Sequence, residues 1–66
     1  MYSFGQTLTV DVQFYDHIEH EIPIQIYQNH NHTDIGYIAS YSEQFVMVNQ
    51  TSYCRKQFTF VSRPGY

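Results

Sequence analysis

The sequence has few of the residues that build helical bundles or cross-link small folds. It contains one alanine (Ala39), one leucine (Leu8), no tryptophan and one cysteine (Cys54). So few strong helix formers leave little material for a helical bundle, and a single cysteine forbids an internal disulfide. No apolar run approaches the ~20 residues of a membrane span, and no signal-peptide pattern opens the chain. We therefore expect a cytoplasmic protein with no membrane partner.

Residues typical of β-sheets are abundant instead. Val, Ile, Thr, Phe and Tyr supply 28 of the 66 residues, and these types favour strands. Charged residues make up only 14% of the chain, against about 25% in ordinary soluble domains. A chain of this length predicts one small domain over residues 1–66, which buries only about 60% of its unfolded surface. The composition predicts an all-β fold.

Hydrophobic alternation predicts the first two strands. Residues 7–14 alternate, with Leu8 to Phe14 apolar at every second position, which is typical of a half-buried strand. Residues 16–21 are polar apart from Ile18 and predict a turn. Isoleucines at 22, 24 and 26 predict a second strand, with Pro23 at its start or on a sheet edge.

The rest of the chain predicts further short strands. Residues 28–33 form a polar hairpin tip, and residues 34–41 resume the sheet with a bulge or bend at Gly36. Residues 45–48 are apolar on both faces and predict a central strand, and residues 53–61 predict one long strand or a bent pair. Five or six strands in so short a chain favour a single small bent barrel, Sm-like or SH3-like.

The distribution of charge and the small core both bear on partners. All six acidic residues lie in the first 43 positions, and the three basic residues are Arg55, Lys56 and Arg63. With no basic tract, we expect no long duplex footprint. The asymmetry indicates a solvated surface, a local anion-binding patch or an acid-to-base contact between identical subunits. A marginal core without a disulfide predicts a homo-oligomer.

Residues with catalytic or metal-binding chemistry are sparse. His17 and His20 lie in one predicted turn and His30 and His32 in the next, about 20 Å away along a strand. Zinc normally needs four ligands, so we expect no metal and no cofactor, although a histidine site remains a third hypothesis. Cys54 is interpreted as a packed side chain, since free cysteines are usually buried and inert. We therefore expect no catalytic residues and no enzyme.

Three segments resemble the bacterial Sm-like (Hfq-like) family, over about residues 22–64. They are Ile22-Pro23-Ile24-Gln25-Ile26-Tyr27, Gly36-Tyr37-Ile38-Ala39-Ser40-Tyr41 and Gln44-Phe45-Val46-Met47-Val48. Tyr53 with Arg55 and Lys56 falls near the family's Tyr-Lys-His, and Ser62-Arg63-Pro64 resembles its chain end. The family begins with an amphipathic helix, whereas the alternation over residues 7–14 predicts a strand here.

The resemblance implies a strongly bent five-stranded barrel that closes into a ring through its last strands and binds RNA on the ring faces. Tyr27 would match a base-stacking tyrosine of one face. Gln44, Phe45, Arg55 and Lys56 would match the uridine-binding positions of the other. The expected function is thus a non-catalytic binding module for single-stranded RNA. The alternative is a protein-interaction or structural oligomer with no nucleic-acid role.

Overall fold

The computed structural model describes residues 2–66 and is mostly β, with 45% strand and 14% helix. The expected β fold is therefore confirmed at this coarse level, with one helix added. The elements in chain order are β1 (Thr7–Leu8), α1 (Asp11–Glu19), β2 (Ile24–Gln28), β3 (Asn31–Gly36), β4 (Ile38–Tyr41), β5 (Phe45–Val48), β6 (Thr51–Cys54) and β7 (Thr59–Ser62).

The strands form two antiparallel sheets. The first has the order β1-β7-β2-β3 and the second has the order β4-β5-β6. No closed barrel is formed by the described residues. Only Tyr37 separates β3 from β4, so the chain passes from one sheet to the other through a sharp bend. When β3 and β4 are counted as one bent strand, five strands follow the order β7-β2-β3/β4-β5-β6.

Gly36 lies at this bend because a side chain would not fit there. A Cβ at Gly36 would lie 2.9 Å from Asn49 Nδ2 and 3.1 Å from Val48 Cγ1. The pairing of β4 with β5 also shifts its register between Ile38 and Ser40. The bend predicted at Gly36 is confirmed, and close packing against the Asn49 turn is its cause.

The strand predicted over residues 7–14 is wrong beyond Leu8, and the turn predicted over residues 16–21 is confined to His20 and Glu21. Strand pairing stops at Leu8, and a helix runs from Asp11 to Glu19. Phe14 and His17 are its buried residues, whereas Val12 of the alternating pattern is 60% exposed. A spacing of three residues places two side chains on one helix face.

Local hydrogen bonds explain where this helix begins. The Gln13 side-chain oxygen accepts bonds from the Thr9 and Val10 backbone N–H groups, at 2.7 and 3.2 Å. This is the return half of a capping box, made by a glutamine at the third helical position. Asp11 in the first turn also suits the positive end of the helix dipole. The capping signal of Gln13 therefore outweighs the two-residue periodicity around it.

The core lies between the helix and the two sheets. The isoleucine alternation of β2 is confirmed, because Ile24 and Ile26 are fully buried. β5 is the central strand of its sheet, as predicted, but only Val46 and Val48 are buried. The other core members are Leu8, Phe14, Ile38, Tyr53 and Phe60.

A polar cluster joins the two sheets. The Tyr53 hydroxyl donates to Asp34 Oδ2 at 2.6 Å, and Asn49 Nδ2 donates to Asp34 Oδ1 at 3.1 Å. The Tyr53 hydrogen bond is the main cause that lowers the pKa of the Asp34 carboxyl, while Asp34 raises the pKa of the Tyr53 phenol. The cluster fixes β3 against β6 and the Asn49 turn.

His17 links the helix to the last strand. Its Nδ1 lies 2.7 Å from the Gln13 carbonyl oxygen, and its Nε2 lies 2.7 Å from Ser62 Oγ. Since a carbonyl only accepts, Nδ1 carries the proton and Nε2 accepts from the Ser62 hydroxyl. Burial lowers the pKa of His17, so the neutral ring is the form that packs here.

Candidate functional site

The five residues predicted to bind RNA lie on two separate surfaces. Gln44, Phe45, Arg55 and Lys56 meet at one end of the β5–β6 pair, where the Arg55 N–H donates to the Gln44 carbonyl at 2.8 Å. Tyr27 belongs to the other sheet, on β2 opposite Thr59 and His32. The fold therefore brings together four of the predicted residues and leaves the fifth elsewhere.

Arg55 is engaged within the chain. Its Nη1 lies 2.6 Å from Asp11 Oδ1 and 2.7 Å from the Ser42 carbonyl oxygen, and its Nη2 lies 3.3 Å from the Thr9 carbonyl oxygen. The guanidinium also lies 4.6 Å from the centroid of the Phe14 ring. These contacts tie the turn after β6 to the start of the helix and to the β4–β5 connection.

The neighbours of Arg55 are more accessible. Lys56 and Gln44 are exposed, and the Phe45 side chain is 43% exposed. Phe45 and Met47 also line a shallow groove of about 240 Å³ beside Tyr41. This end of the β5–β6 pair offers one cation, one amide and an apolar surface to a ligand.

Tyr27 lies in a hydrogen-bonded group that positions its ring. Its hydroxyl donates to Gln25 Oε1 at 3.1 Å and accepts from Arg63 Nη2 at 3.1 Å. Arg63 Nε donates to the same Gln25 oxygen. The Tyr27 ring packs tilted against His32, with 5.6 Å between ring centroids.

A groove of about 610 Å³ runs beside Tyr27. We call it the Tyr27 groove, and its polar and aromatic lining comprises Tyr27, Asn29, His30, Gln57, Thr59 and Arg63. Its size falls within the 300–1,000 Å³ typical of ligand pockets. An aromatic ring beside amides, a histidine and a guanidinium can stack on a base and donate to its polar edges or to phosphate.

Arg63 is the functional candidate that the sequence reasoning missed. Pro64 and Gly65 after it predicted a tail, but the Arg63 N–H donates to the Pro23 carbonyl at 3.0 Å and so extends the pairing with β2. One feature of the sequence could have indicated Arg63. Gln25 and Tyr27 are two residues apart and so share a face of β2, where both oxygens can accept hydrogen bonds from a cation.

The histidines do not assemble into one site. His17 is buried against Ser62, whereas His20, His30 and His32 are exposed. Within residues 2–66, no group of three or more His, Cys, Asp or Glu side chains is placed to hold a metal ion.

Comparison with known proteins finds no match. The chain matches no protein-family model, no curated protein and no solved structure. No helix among the described residues is both long and apolar enough to cross a membrane.

Proposed function

We propose that this chain is a non-catalytic binding module that assembles into an Sm-like ring and binds single-stranded RNA. The observation that carries the proposal is the arrangement of the strands. A helix precedes five antiparallel strands in the order β7-β2-β3/β4-β5-β6, and the strand formed by β3 and β4 bends at Gly36 and Tyr37. This order supports the five bent strands that the resemblance over residues 22–64 implies, although the described residues form no closed barrel.

The helix α1 corresponds to a feature of the Sm-like family that the sequence pattern over residues 7–14 did not predict. The Sm-like family opens with an amphipathic helix, and α1 occupies the corresponding place ahead of β2. Its inner face carries Phe14 and His17, and its outer face carries Val12 and Tyr15. The Sm-like proposal is supported by the order of the strands and by the position of the helix, since the chain matches no solved structure.

Two surfaces are suited to RNA. The Tyr27 groove combines a positioned aromatic ring with Arg63, and aromatic stacking with cationic contacts is how single strands are bound without sequence readout. The surface at Gln44, Phe45 and Lys56 supplies a second aromatic ring and a lysine. Arg55 supports this second surface from beneath through its contacts with Asp11 and Ser42.

Ring assembly would use the edges of the sheets. β6 pairs only with β5, so its outer edge has no strand partner among the described residues. The outer edge of β7 is paired with residues 5–8, through Gly5 N–H to the Ser62 carbonyl at 2.7 Å and Ser62 N–H to the Gln6 carbonyl at 2.8 Å. Subunits joined through β6 and β7 therefore require residues 5–8 to leave β7 or to act as the joining strand.

Light scattering coupled to size-exclusion chromatography tests the proposal, with and without short uridine-rich and adenine-rich RNA. We expect a ring-sized oligomer that shifts with RNA. The variant Ser52→Pro should reduce the amount of oligomer, because proline removes a backbone N–H from the free edge of β6. The Arg55 backbone N–H points to β5, so the alternation of strand hydrogen bonds directs the Ser52 backbone N–H to the outer edge. Ser52→Ala, which keeps the backbone N–H, is the matched control and should leave the oligomer unchanged. A monomer indifferent to RNA contradicts the proposal.

The alternative function is a protein-interaction or structural oligomer without RNA. It is favoured by the exposed apolar pair Phe45 and Met47 beside Tyr41, and by the net charge of −3. An oligomer that forms through β6 and ignores both RNAs at low salt would support this alternative. RNA binding that weakens with salt would exclude it, because phosphate contacts release counterions.

A further inference from the structure

Arg63 carries a charge that the fold does not neutralise. Across residues 2–66 the structure has one ion pair, between Arg55 and Asp11. Arg63 is nevertheless half-buried. Half-buried charges are normally paired, since removing a charge from water without a partner is costly. An unpaired guanidinium at the wall of a groove is the arrangement expected of a site for an anion.

The guanidinium is held in a fixed position. Its Nε donates to Gln25 Oε1, its Nη2 donates to the Tyr27 hydroxyl at 3.1 Å, and its Cζ lies 4.7 Å from the centroid of the Phe4 ring. Nη1 has no acceptor among residues 2–66, and its donors remain for a ligand. Gly5 adjoins this atom, and a Cβ there would come within 3.2 Å of Nη1.

The rest of the Tyr27 groove is free of negative charge. Six acidic residues are present in the chain, yet none of them lines this groove. Asn29, His30, Gln57 and Thr59 contribute amide, imidazole and hydroxyl groups instead. All of these can donate hydrogen bonds to oxygen, so the lining favours an oxyanion.

We propose that the Tyr27 groove binds a phosphoryl group through Arg63, with the attached nucleoside beside the Tyr27 ring. Arginine presents donors in a planar fork that matches phosphate oxygens. The inference rests on the proposed RNA function where it identifies this group as a backbone phosphate. The same chemistry is offered by the phosphate of a free mononucleotide, and the experiment separates the two.

Isothermal titration calorimetry with inorganic phosphate, AMP, adenosine and an adenine-rich hexanucleotide tests the site. AMP should bind at least about tenfold more tightly than adenosine, as one charge-assisted hydrogen bond predicts. Gln57→Glu places a carboxylate in the groove without altering any Arg63 contact, and it should weaken AMP binding about tenfold. Gln50→Glu makes the same change at an exposed turn outside the groove and should alter it less than about twofold.

Arg63→Lys keeps the charge but cannot donate to Gln25 and Tyr27 in the same fork, and it should also weaken AMP binding. Circular dichroism would establish that each variant is folded. Equal affinities for AMP and adenosine, or equal losses in Gln57→Glu and Gln50→Glu, would overturn the phosphate site.

The hexanucleotide separates this inference from the proposed function. AMP binding that Gln57→Glu leaves unchanged overturns the phosphate site, and RNA binding that persists beside it leaves the RNA function standing. AMP binding that Gln57→Glu abolishes, without any RNA binding, supports the site for a free mononucleotide and contradicts the RNA function. Loss of both AMP and RNA binding in Gln57→Glu supports the site within the proposed function.

Discussion

Replacing Arg55 by methionine separates its role in the fold from a role in binding. Methionine keeps much of the aliphatic packing against Phe14 and removes every donor. The bond to the Ser42 carbonyl at 2.7 Å contributes about 1 to 1.5 kcal/mol, and the cation–π contact with Phe14 about 1 kcal/mol. The Asp11 side chain is 65% exposed, so the ion pair adds only about 0.5 kcal/mol.

The sum predicts a loss of about 2.5 to 3 kcal/mol in the free energy of unfolding. For a domain of this size, that loss corresponds to a fall of about 10 to 24 °C in Tm. Lys56→Met is the matched control, because Lys56 is exposed and surface substitutions usually change stability by less than about 0.5 kcal/mol. Urea unfolding followed by circular dichroism, together with thermal melts, would measure both variants.

The same pair of variants bears on RNA binding. We expect Lys56→Met to weaken RNA binding and to reduce its salt dependence while the fold is unchanged. Arg55→Met should lower stability first, and its effect on RNA should follow from the displaced turn. If Arg55→Met and Lys56→Met were equally stable and lost RNA binding equally, the structural role of Arg55 would be refuted.

Two further predictions concern stability and pH. Tyr53→Phe should lower the free energy of unfolding by about 1 kcal/mol at neutral pH, because Asp34 loses its shortest hydrogen bond. That deficit should shrink as acid protonates Asp34, whose pKa lies below its ordinary 3.8; Tyr37→Phe, exposed, is the control, and a deficit independent of pH would contradict the reasoning. His17, whose pKa is lowered from 6.5, should contribute stability that is complete above pH 6.5 and is lost as pH falls toward its folded pKa. Urea unfolding across this range should show the decline in the wild type and in His20→Asn, and a flat profile would refute the neutral, buried state of His17.

The local pattern of the sequence was sufficient for most of the sheet. Alternating isoleucines predicted β2 because a strand with one buried face repeats every two residues. Gly36 marked the bend because it alone lacks the Cβ that would collide with Asn49. The polar tip at residues 28–33 contains the turn at Asn29 and His30, where both residues adopt positive φ.

Residues 7–14 show where local pattern fails. Apolar residues at 8, 10, 12 and 14 fit the two-residue repeat of a strand, whereas the spacing of Phe14 and His17 fits one face of a helix. The capping bonds of Gln13 and the core position open to Phe14 decide for the helix. The sequence alone does not show which of these two periodicities is followed, because the outcome depends on which side chains the rest of the fold buries.

The small β-rich chain, its bend and the identity of its few cations follow from the sequence alone. The role of each cation depends on the tertiary structure. Arg55 and Lys56 are adjacent in sequence, yet Arg55 is directed to Asp11 and Ser42 while Lys56 is exposed. Arg63, 36 residues after Tyr27, reaches its hydroxyl. Contacts between residues distant along the chain arise from strand order and register, which no local pattern of residues encodes.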